Sequence, residues 1–481
     1  MTEPFASNPR DPAAYADRNR DRFVEELKAF VRHPSVSAEP RRKANVAHCA
    51  QWLSAHLRDI GMPRVRVFPT PGHPIVYADC LRRPGAPTLL IYGHYDVQPP
   101  DPLSEWRVSP FAPAVVGERL FGRGASDDKG QLFAHVKALE AHLRTTGLPL
   151  NVKCLFEGEE EVGSPHLRGF VERNADALVA DAAVVSDMKI LGPDQPSIAI
   201  SLRGSLVLEL TVLGPRTDLH SGNFGGFVHN PLQVLCEMIA RLHDRHGRIA
   251  VPGIYDSVKS FDAAERLRMR RTGPSDRQLL ADAGIVAPWG EQGFSLYERY
   301  TIRPALTING ITGGYQGPGA KAVIPARGSA KIGIRLPPGQ EPDDVERLFR
   351  RYILRISPPS ARVRIRRLMA GPPSEVDVAH PAVRAAAAAY VRGFGARPVL
   401  TRLGGSIPIV ETFNRILRVP TVLMGFALPD AAVHAPNENL HLPTFHKAIA
   451  TCIAFLAEFA AIERRRPRSR NGGFSPSRSR A

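Results

Sequence analysis

The sequence lacks the features that mark disulfide-stapled and membrane-spanning proteins. Its 481 residues contain only five cysteines, and these form no Cys-x-x-Cys pair, which favours a reducing compartment. No run of about 18 consecutive apolar residues occurs, so no membrane-spanning helix is expected. Residues 1–32 contain no apolar run of the kind that a signal peptide needs. These absences predict a cytoplasmic protein with no membrane partner.

The composition is ordinary, except that the C-terminal segment 464–481 contains no acidic residue. The chain is 43% apolar and 23% charged, as in folded globular proteins, and its length predicts about two to four domains. Seven arginines lie in 464–481, and without them the formal net charge of +16 becomes +9. We therefore expect a disordered basic tail and no nucleic-acid partner.

Short apolar runs alternate with amphipathic helical patterns over most of the chain. Four such runs are found at 88–92, 152–156, 182–185 and 421–424. Their length and apolar character predict buried strands, and the helical patterns around them predict parallel pairing. This alternation indicates an α/β domain with a mostly parallel sheet.

A middle stretch of the chain follows a different pattern. Apolar side chains alternate over 206–212, as in a strand with one exposed face. Further strands at 301–308, 330–336 and 362–368 and helices at 231–243 and 343–354 predict a smaller α+β insert. An Ala-rich helix then begins near His380, and Gly393 is expected to follow its end. We therefore predict an α/β domain in two parts, 1–202 and 376–463, an insert at 203–375 and a tail at 464–481.

Carboxylates and imidazoles follow the predicted strands at their carboxyl ends. These side chains are His94 and Asp96, the Glu-rich run 157–161, Asp187 and His434. Asp127 and Asp128 stand at the start of a predicted helix. In open α/β sheets the ligand crevice lies at the carboxyl ends of the strands, so these side chains are expected to converge.

Converging carboxylates require cations, because buried like charges repel each other. Three carboxylates and two imidazoles carry a charge of about −3, and two divalent cations would leave about +1, which polarises a carbonyl and acidifies a water. Donors without thiolate suit Zn²⁺ or Mn²⁺, and also Co²⁺. Each motif alone is more often a loop histidine, a solvated acidic run or a helix N-cap, so the prediction rests on their conjunction.

Five motifs occur in an order that is typical of one enzyme family. They are Gly93-His94-Tyr95-Asp96, Gly122-Arg123-Gly124 with Asp127-Asp128-Lys129-Gly130, Glu157-Gly158-Glu159-Glu160-Glu161, Ser186-Asp187 and Asp218-Leu219-His220-Ser221-Gly222. The chain resembles the M20 family of di-metal peptidases, most closely its cytosolic, carnosinase-like dipeptidase branch, over residues 23–459. The resemblance implies a zinc-dependent exopeptidase-type catalytic domain, interrupted by a smaller lid and dimerisation domain.

The resemblance also implies the ligands of two metal ions. Asp127 would bridge the two ions, and the peptide bond after it would be cis. His94 and Asp187 would complete one site, and Glu161 and His434 would complete the other.

Three further residues would take part in catalysis. Asp96 would accept a hydrogen bond from the His94 ring and fix its tautomer. Glu160 would be the general base and then the general acid, taking a proton from the hydroxide-forming water between the ions and passing it to the leaving nitrogen. His220, in the lid, would reach into the neighbouring subunit's active site and stabilise the oxyanion. This last role implies a homodimer formed through the lid.

Substrate binding is implied at two places. Arg335 would clamp the free carboxylate of the substrate, since a guanidinium suits a carboxylate bidentately, and Ser406 would assist it. Asn223, in the loop of His220, is a weaker candidate. Ala322 stands where the dipeptidase branch commonly has Thr, so the exact substrate stays open.

The sequence leaves three functions open. The favoured one is a dipeptidase that cleaves a small peptide or amide bond. The second is a deacylase of N-acyl amino acids that uses the same metals, and the third is a non-catalytic binding protein, which the complete catalytic set disfavours. Ser406 is not part of a Gly-x-Ser-x-Gly elbow, and no His-Glu-x-x-His motif occurs, which argues against serine-hydrolase and thermolysin-type sites.

Overall fold

The computed structural model describes residues 10–462. The predicted basic tail at 464–481 lies outside the described residues. The strands are Arg64–Phe68 (β1), Ile75–Cys80 (β2), Thr88–His94 (β3), Ala114–Val116 (β4), Arg119–Phe121 (β5), Asn151–Glu157 (β6), Ala182–Ser186 (β7), Ser197–Leu202 (β8), Gly204–Leu213 (β9), Leu219–His220 (β10), Ala305–Gly313 (β11), Val323–Ile324 (β12), Arg327–Leu336 (β13), Arg362–Gly371 (β14), Ser374–Glu375 (β15), Val399–Leu403 (β16), Thr421–Met424 (β17) and Asn439–His441 (β18).

Helices connect and cover these strands. The α-helices are Pro12–Arg18 (α1), Arg20–Val31 (α2), Lys43–Asp59 (α3), Lys129–Leu143 (α4), Leu167–Arg173 (α5), Ala175–Leu178 (α6), Ser221–Phe224 (α7), Pro231–Ala240 (α8), Ala263–Thr272 (α9), Asp276–Ala283 (α10), Leu296–Ile302 (α11), Pro342–Ile356 (α12), Pro381–Phe394 (α13), Pro408–Thr412 (α14) and Leu442–Ala460 (α15). Short 3₁₀ turns lie at Pro40–Arg42, Leu103–Glu105 and Glu160–Val162, and a π-helical turn lies at Phe413–Leu417.

The largest sheet has nine strands in the order β1-β2-β6-β3-β7-β17-β8-β15, with β16 paired to β8. Its four central strands, β6, β3, β7 and β17, run parallel. Antiparallel pairs extend the sheet on both sides of this centre. On one side β2 pairs with β6 and β1 with β2, and on the other β8 pairs with β17 and β15 with β8. The α/β prediction of a mostly parallel sheet is confirmed for this centre, because all four apolar runs became its parallel strands.

Both faces of the large sheet are buried, which explains the continuous apolar runs. Side chains alternate between the two faces, so Leu89 and Ile91 join a core with α2, α3, α4, α13 and α15. Leu90 and Tyr92 point the other way, into a core that contains Phe170 of α5. Burying these faces supplies the main driving force for folding this part of the chain.

A smaller antiparallel sheet, β11-β13-β9-β14, lies in the middle part of the chain. The alternating residues 206–212 form its strand β9, whose apolar side chains are buried against α8 and α12. The intervening residues Val207, Glu209 and Thr211 are only half-buried on the opposite face. The sheet therefore has one covered and one open face, as the alternation predicts. The predicted domain borders at 202/203 and 375/376 stay predictions.

Three expectations about element ends were wrong. The strand expected at 301–308 begins only at Ala305, because Ser295 and Glu298 form a capping box that starts helix α11. The helix expected at 231–243 ends at Ala240. Gly393 lies inside α13, and Gly395, at φ 74°, ends that helix instead; a residue without Cβ adopts this left-handed conformation at little cost.

Within residues 10–462, no helix has the length and apolar character that crossing a membrane requires. All five cysteines are free, and four of them are buried in the cores.

Candidate metal centre

The parallel strands bring the predicted side chains to one edge of the sheet. His94 is the last residue of β3, and Asp187 directly follows β7. Glu161 lies in the turn after β6, and His434 lies in the loop that leads from β17 to β18. Neighbouring parallel strands end at the same edge, so residues distant in sequence become adjacent there.

His94, Asp127 and Asp187 form the first of two donor groups at this edge of the sheet. The Nε2 atom of His94 lies 3.1 Å from Oδ1 of Asp127 and 3.7 Å from Oδ2 of Asp187. The ring of His94 is completely buried, and its Nε2 forms no hydrogen bond with the described residues. A buried nitrogen facing two carboxylate oxygens is suited to a cation, which would accept its lone pair.

Asp127, Glu161 and His434 form the second donor group. The Nε2 atom of His434 lies 2.9 Å from Oδ2 of Asp127 and 3.2 Å from Oε2 of Glu161. Asp127 therefore gives one carboxylate oxygen to each group. The peptide bond between Asp127 and Asp128 is cis, as the resemblance implies.

The pKa values in these groups reflect crowded charges. Burial raises the pKa of Asp187 to about 6, and the negative charge of Asp127 adds to this effect. Burial also tends to raise the pKa of Asp127, but its contacts with His434 and His94 lower it. Contacts with Asp127 and Glu161 raise the pKa of His434 to about 10. The imidazoles and carboxylates therefore compete for protons. Such a set of donors is suited to two divalent cations, which would take the place of the protons.

Asp96 connects the two donor groups. The Nδ1 atom of His94 lies 3.1 Å from the backbone oxygen of Asp96 and 3.4 Å from its Oδ1. The nearer acceptor for the ring is therefore the backbone carbonyl, whereas the sequence predicts the carboxylate. That carboxylate accepts hydrogen bonds from the backbone N–H groups of Glu160 and Glu161, each at 3.2 Å. Asp96 thus holds the turn that presents Glu161.

Glu160 faces a cleft beside both donor groups. The cleft has a volume of about 390 Å³, and Glu160, Asp127, Asp187, His434 and Ser406 line it. Burial raises the pKa of Glu160 well above its usual value; the charge of His94 opposes this rise, and that of Asp187 adds to it. A carboxyl group with a raised pKa in a cleft lined by members of both donor groups has the character of a proton-transfer group.

Two arginines lie at the Ser406 end of this cleft. Nη1 of Arg335 donates to Oγ of Ser406 at 3.2 Å. Arg203 is 7% exposed and donates to the backbone oxygens of Gly404 and Arg303, and no acidic side chain within the described residues forms an ion pair with it. Burial and, to a smaller extent, the charge of Arg335 lower the pKa of Arg203 to about 9. Two neighbouring cations without a counter-charge favour an anionic ligand.

His220 and Asn223 lie apart from the cleft. His220 is exposed at the end of β10, which pairs with β12, and its Nδ1 accepts a hydrogen bond from Gly222. Asn223 is exposed in α7. Neither side chain is among those that line the cleft within its own chain.

Sequence reasoning missed two residues of this centre, Arg203 and Glu438. Glu438 is fully buried four residues after His434, and its carboxylate accepts hydrogen bonds from the backbone of Ser126 and Asp127. A Glu so close to a predicted ligand was a usable signal. Arg203 gives no sequence signal, because its burial depends on how the small and large sheets meet.

Comparison with known proteins places this centre in a family. Residues 90–461 match the model of Peptidase family M20/M25/M40. The Cys-Gly metallodipeptidase of Schizosaccharomyces pombe is 32% identical, over 93% of this chain and 97% of that protein. The human Beta-Ala-His dipeptidase is 30% identical, over 95% of each chain. The crystal structure of human carnosine dipeptidase 1 has a TM-score of 0.84 at 29% identity, covering 94% of this chain and 98% of that one.

The chain belongs to peptidase family M20/M25/M40. It is a metallopeptidase of this family, and the family assignment confirms the predicted class of enzyme and its fold.

Exchanging the shared carboxylate tests the two donor groups. Asp127→Ala should lose both metal ions, because Asp127 supplies an oxygen to each group. Asp187→Ala is the matched control and should retain the ion of the second group. Elemental analysis of the purified variants gives the number of ions per chain. Two ions per chain in Asp127→Ala would contradict this arrangement.

Proposed function

We propose that the protein is a dipeptidase that hydrolyses small peptides with two divalent cations bound by its two donor groups. The observation that carries the proposal is the position of Asp127, whose two oxygens serve both groups at the wall of the cleft. His94 and Asp187 would hold one ion, and Glu161 and His434 the other. When bound, such ions polarise a carbonyl and acidify a water. Zn²⁺ or Mn²⁺ suits these donors, and Co²⁺ is a further candidate.

Glu160 has the role of proton carrier in this proposal. It adjoins Glu161, yet it belongs to neither donor group, so its carboxylate is free to act on a water at the centre. It would take a proton from that water and pass it to the leaving nitrogen. Asp96 would act indirectly. Its carboxylate accepts hydrogen bonds from the backbone N–H groups of Glu160 and Glu161, and these bonds would keep the two glutamate side chains in place.

Substituting two neighbouring glutamates in turn distinguishes the proposed proton carrier, Glu160, from the proposed metal ligand, Glu161. Glu160→Gln should keep both metal ions and reduce kcat by about 10²- to 10⁴-fold, the range expected for loss of a general base. Glu161→Gln should instead weaken metal binding. Turnover and metal content are measured on the same samples. Normal turnover in Glu160→Gln would rule out this role.

The carboxylate end of the substrate would bind at Arg335 and Ser406. Their direct contact at the cleft, with the buried charge of Arg203 behind Gly404, supports an anionic subsite. A dipeptide carries a free carboxylate next to the residue that follows its single peptide bond, so it can supply the anion for this subsite. Ala322, which directly precedes β12, offers no hydroxyl to a substrate.

Blocking the substrate carboxylate tests this subsite. Arg335→Gln should raise KM for a dipeptide by about 10- to 100-fold, the value of a lost charge-assisted hydrogen bond, and should leave KM for the dipeptide amide nearly unchanged. Lys331→Gln, an exposed change on the same strand, is the control. The panel includes N-acyl amino acids. Faster cleavage of these than of dipeptides would favour the deacylase function instead.

We further propose a homodimer in which His220 completes the partner's active site, with Asn223 beside it. Two observations support this proposal: His220 is exposed, and it does not line the cleft of its own chain. The small sheet has an open face beside this segment, which a second copy would cover.

Mixing two inactive variants tests the dimer. If His220 acts across the interface, a dimer of one His220→Ala chain and one Glu160→Gln chain has one intact active site. Refolding equal amounts together should restore about a quarter of the wild-type activity, because half of the dimers are mixed and each has one intact site. Light scattering checks the mass. No recovery in a verified mixed dimer would contradict the role of His220.

A cytoplasmic location is also proposed. It is supported by the five free cysteines of the chain, since thiols persist in reducing compartments.

A further inference from the structure

Glu438 is a buried carboxylate that joins the two loops of the metal centre. It is fully buried, and its Oε1 accepts hydrogen bonds from the backbone N–H groups of Ser126, at 2.9 Å, and Asp127, at 3.0 Å. Its Oε2 accepts from the backbone N–H of Gly124, at 2.9 Å, and from Nη1 of Arg123, at 2.8 Å. Both oxygens are therefore used twice, which is close to the full capacity of a carboxylate.

These bonds fix the loop that carries Asp127. Three backbone N–H groups, of Gly124, Ser126 and Asp127, surround this one carboxylate. Two further bonds add to them: the backbone N–H of Gly122 donates to the backbone oxygen of Glu438, and Oγ of Ser126 donates to that of Asn439. The backbone of the shared ligand is thus held by a residue of another loop.

The same residue ends the loop that carries His434. This loop contains three non-glycine residues with positive φ, Ala432 at 52°, His434 at 64° and Asn437 at 65°. Such conformations persist only where the surrounding contacts determine them. Asn437 is held by Glu105 and Arg107, and Glu438 is held by the loop of Asp127. Two anchored residues, Asn437 and Glu438, therefore follow His434 by three and four positions and hold the end of its loop.

We propose that Glu438 is a positioning residue that sets the distance between Asp127 and His434, and thereby the affinity of the second donor group for its metal ion. Glu438 is not one of the donors in either group. The proposal rests on the two-metal function proposed above. Its action is indirect, since it presents the ligands before a metal arrives and reduces the ordering that binding requires.

A glutamine at this position would keep the size of the side chain and lose one acceptor. Its oxygen would stay with the charged Arg123, and its NH₂ would then face the N–H groups of Ser126 and Asp127. Two donors facing each other cannot form a hydrogen bond, so the loop of Asp127 would move away.

The test compares Glu438→Gln with Glu298→Gln. Glu298 is also fully buried and accepts bonds from Arg266 and from the backbone of Ser295, but it lies in the middle part of the chain. Titration of each metal-stripped protein with Mn²⁺, and separately Zn²⁺, gives the Kd values by calorimetry. Glu438→Gln should raise one of the two Kd values by about 10- to 100-fold, and Glu298→Gln should leave both unchanged.

Two more measurements separate positioning from a structural role. Thermal unfolding of the metal-free proteins shows any loss of stability, which the control shares, whereas only Glu438→Gln should lose metal affinity. Saturating metal should recover most of its kcat. An unchanged Kd in folded Glu438→Gln would overturn the inference.

A second variant keeps the test decisive if Glu438→Gln fails to fold. If Glu438→Gln does not fold by circular dichroism, Glu438→Asp is titrated, since its shorter side chain keeps the charge but cannot reach both pairs of donors. If neither folds while Glu298→Gln does, Glu438 is a core residue and the inference is wrong. Wild-type protein that binds no metal would instead remove the proposed function itself.

Discussion

The structure depends on one constraint: several carboxylates lie together at an edge of a buried sheet, where like charges repel and water is limited. The two imidazoles divide this set into two groups, and Asp127 belongs to both. Cations would satisfy the groups together, since each group has donors from three separate segments of the chain. Every other feature of the centre, from Asp96 to the cleft, is arranged around that shared carboxylate.

The fold makes this gathering possible by covering both faces of the large sheet. Four parallel strands with apolar side chains on both sides leave only their ends for polar chemistry. Polar contacts then fix the loops at those ends. Asp96 holds the turn of Glu160 and Glu161, and Glu438 holds the loop of Asp127. Two buried carboxylates thus hold the backbone of Asp127, Glu160 and Glu161, although neither carboxylate belongs to a donor group.

Much of this arrangement could be predicted from the sequence, because continuous apolar runs identify buried strands and strand ends identify the crevice. His94 and Asp187 were found in that way, and the family resemblance supplied the role of Asp127. Helices α9 and α10 were not predicted, since they are short and Met269 is their one buried residue. Arg203 and Glu438 were missed because their partners are distant in sequence and become neighbours only in the folded chain.

The most direct test of the shared-carboxylate centre is anomalous diffraction from crystals grown with Mn²⁺ or Zn²⁺. We expect two peaks per chain, about 3.5–4 Å apart, with Asp127 between them, His94 and Asp187 on one side, and Glu161 and His434 on the other. A single peak, or two peaks that do not share Asp127, would contradict this arrangement.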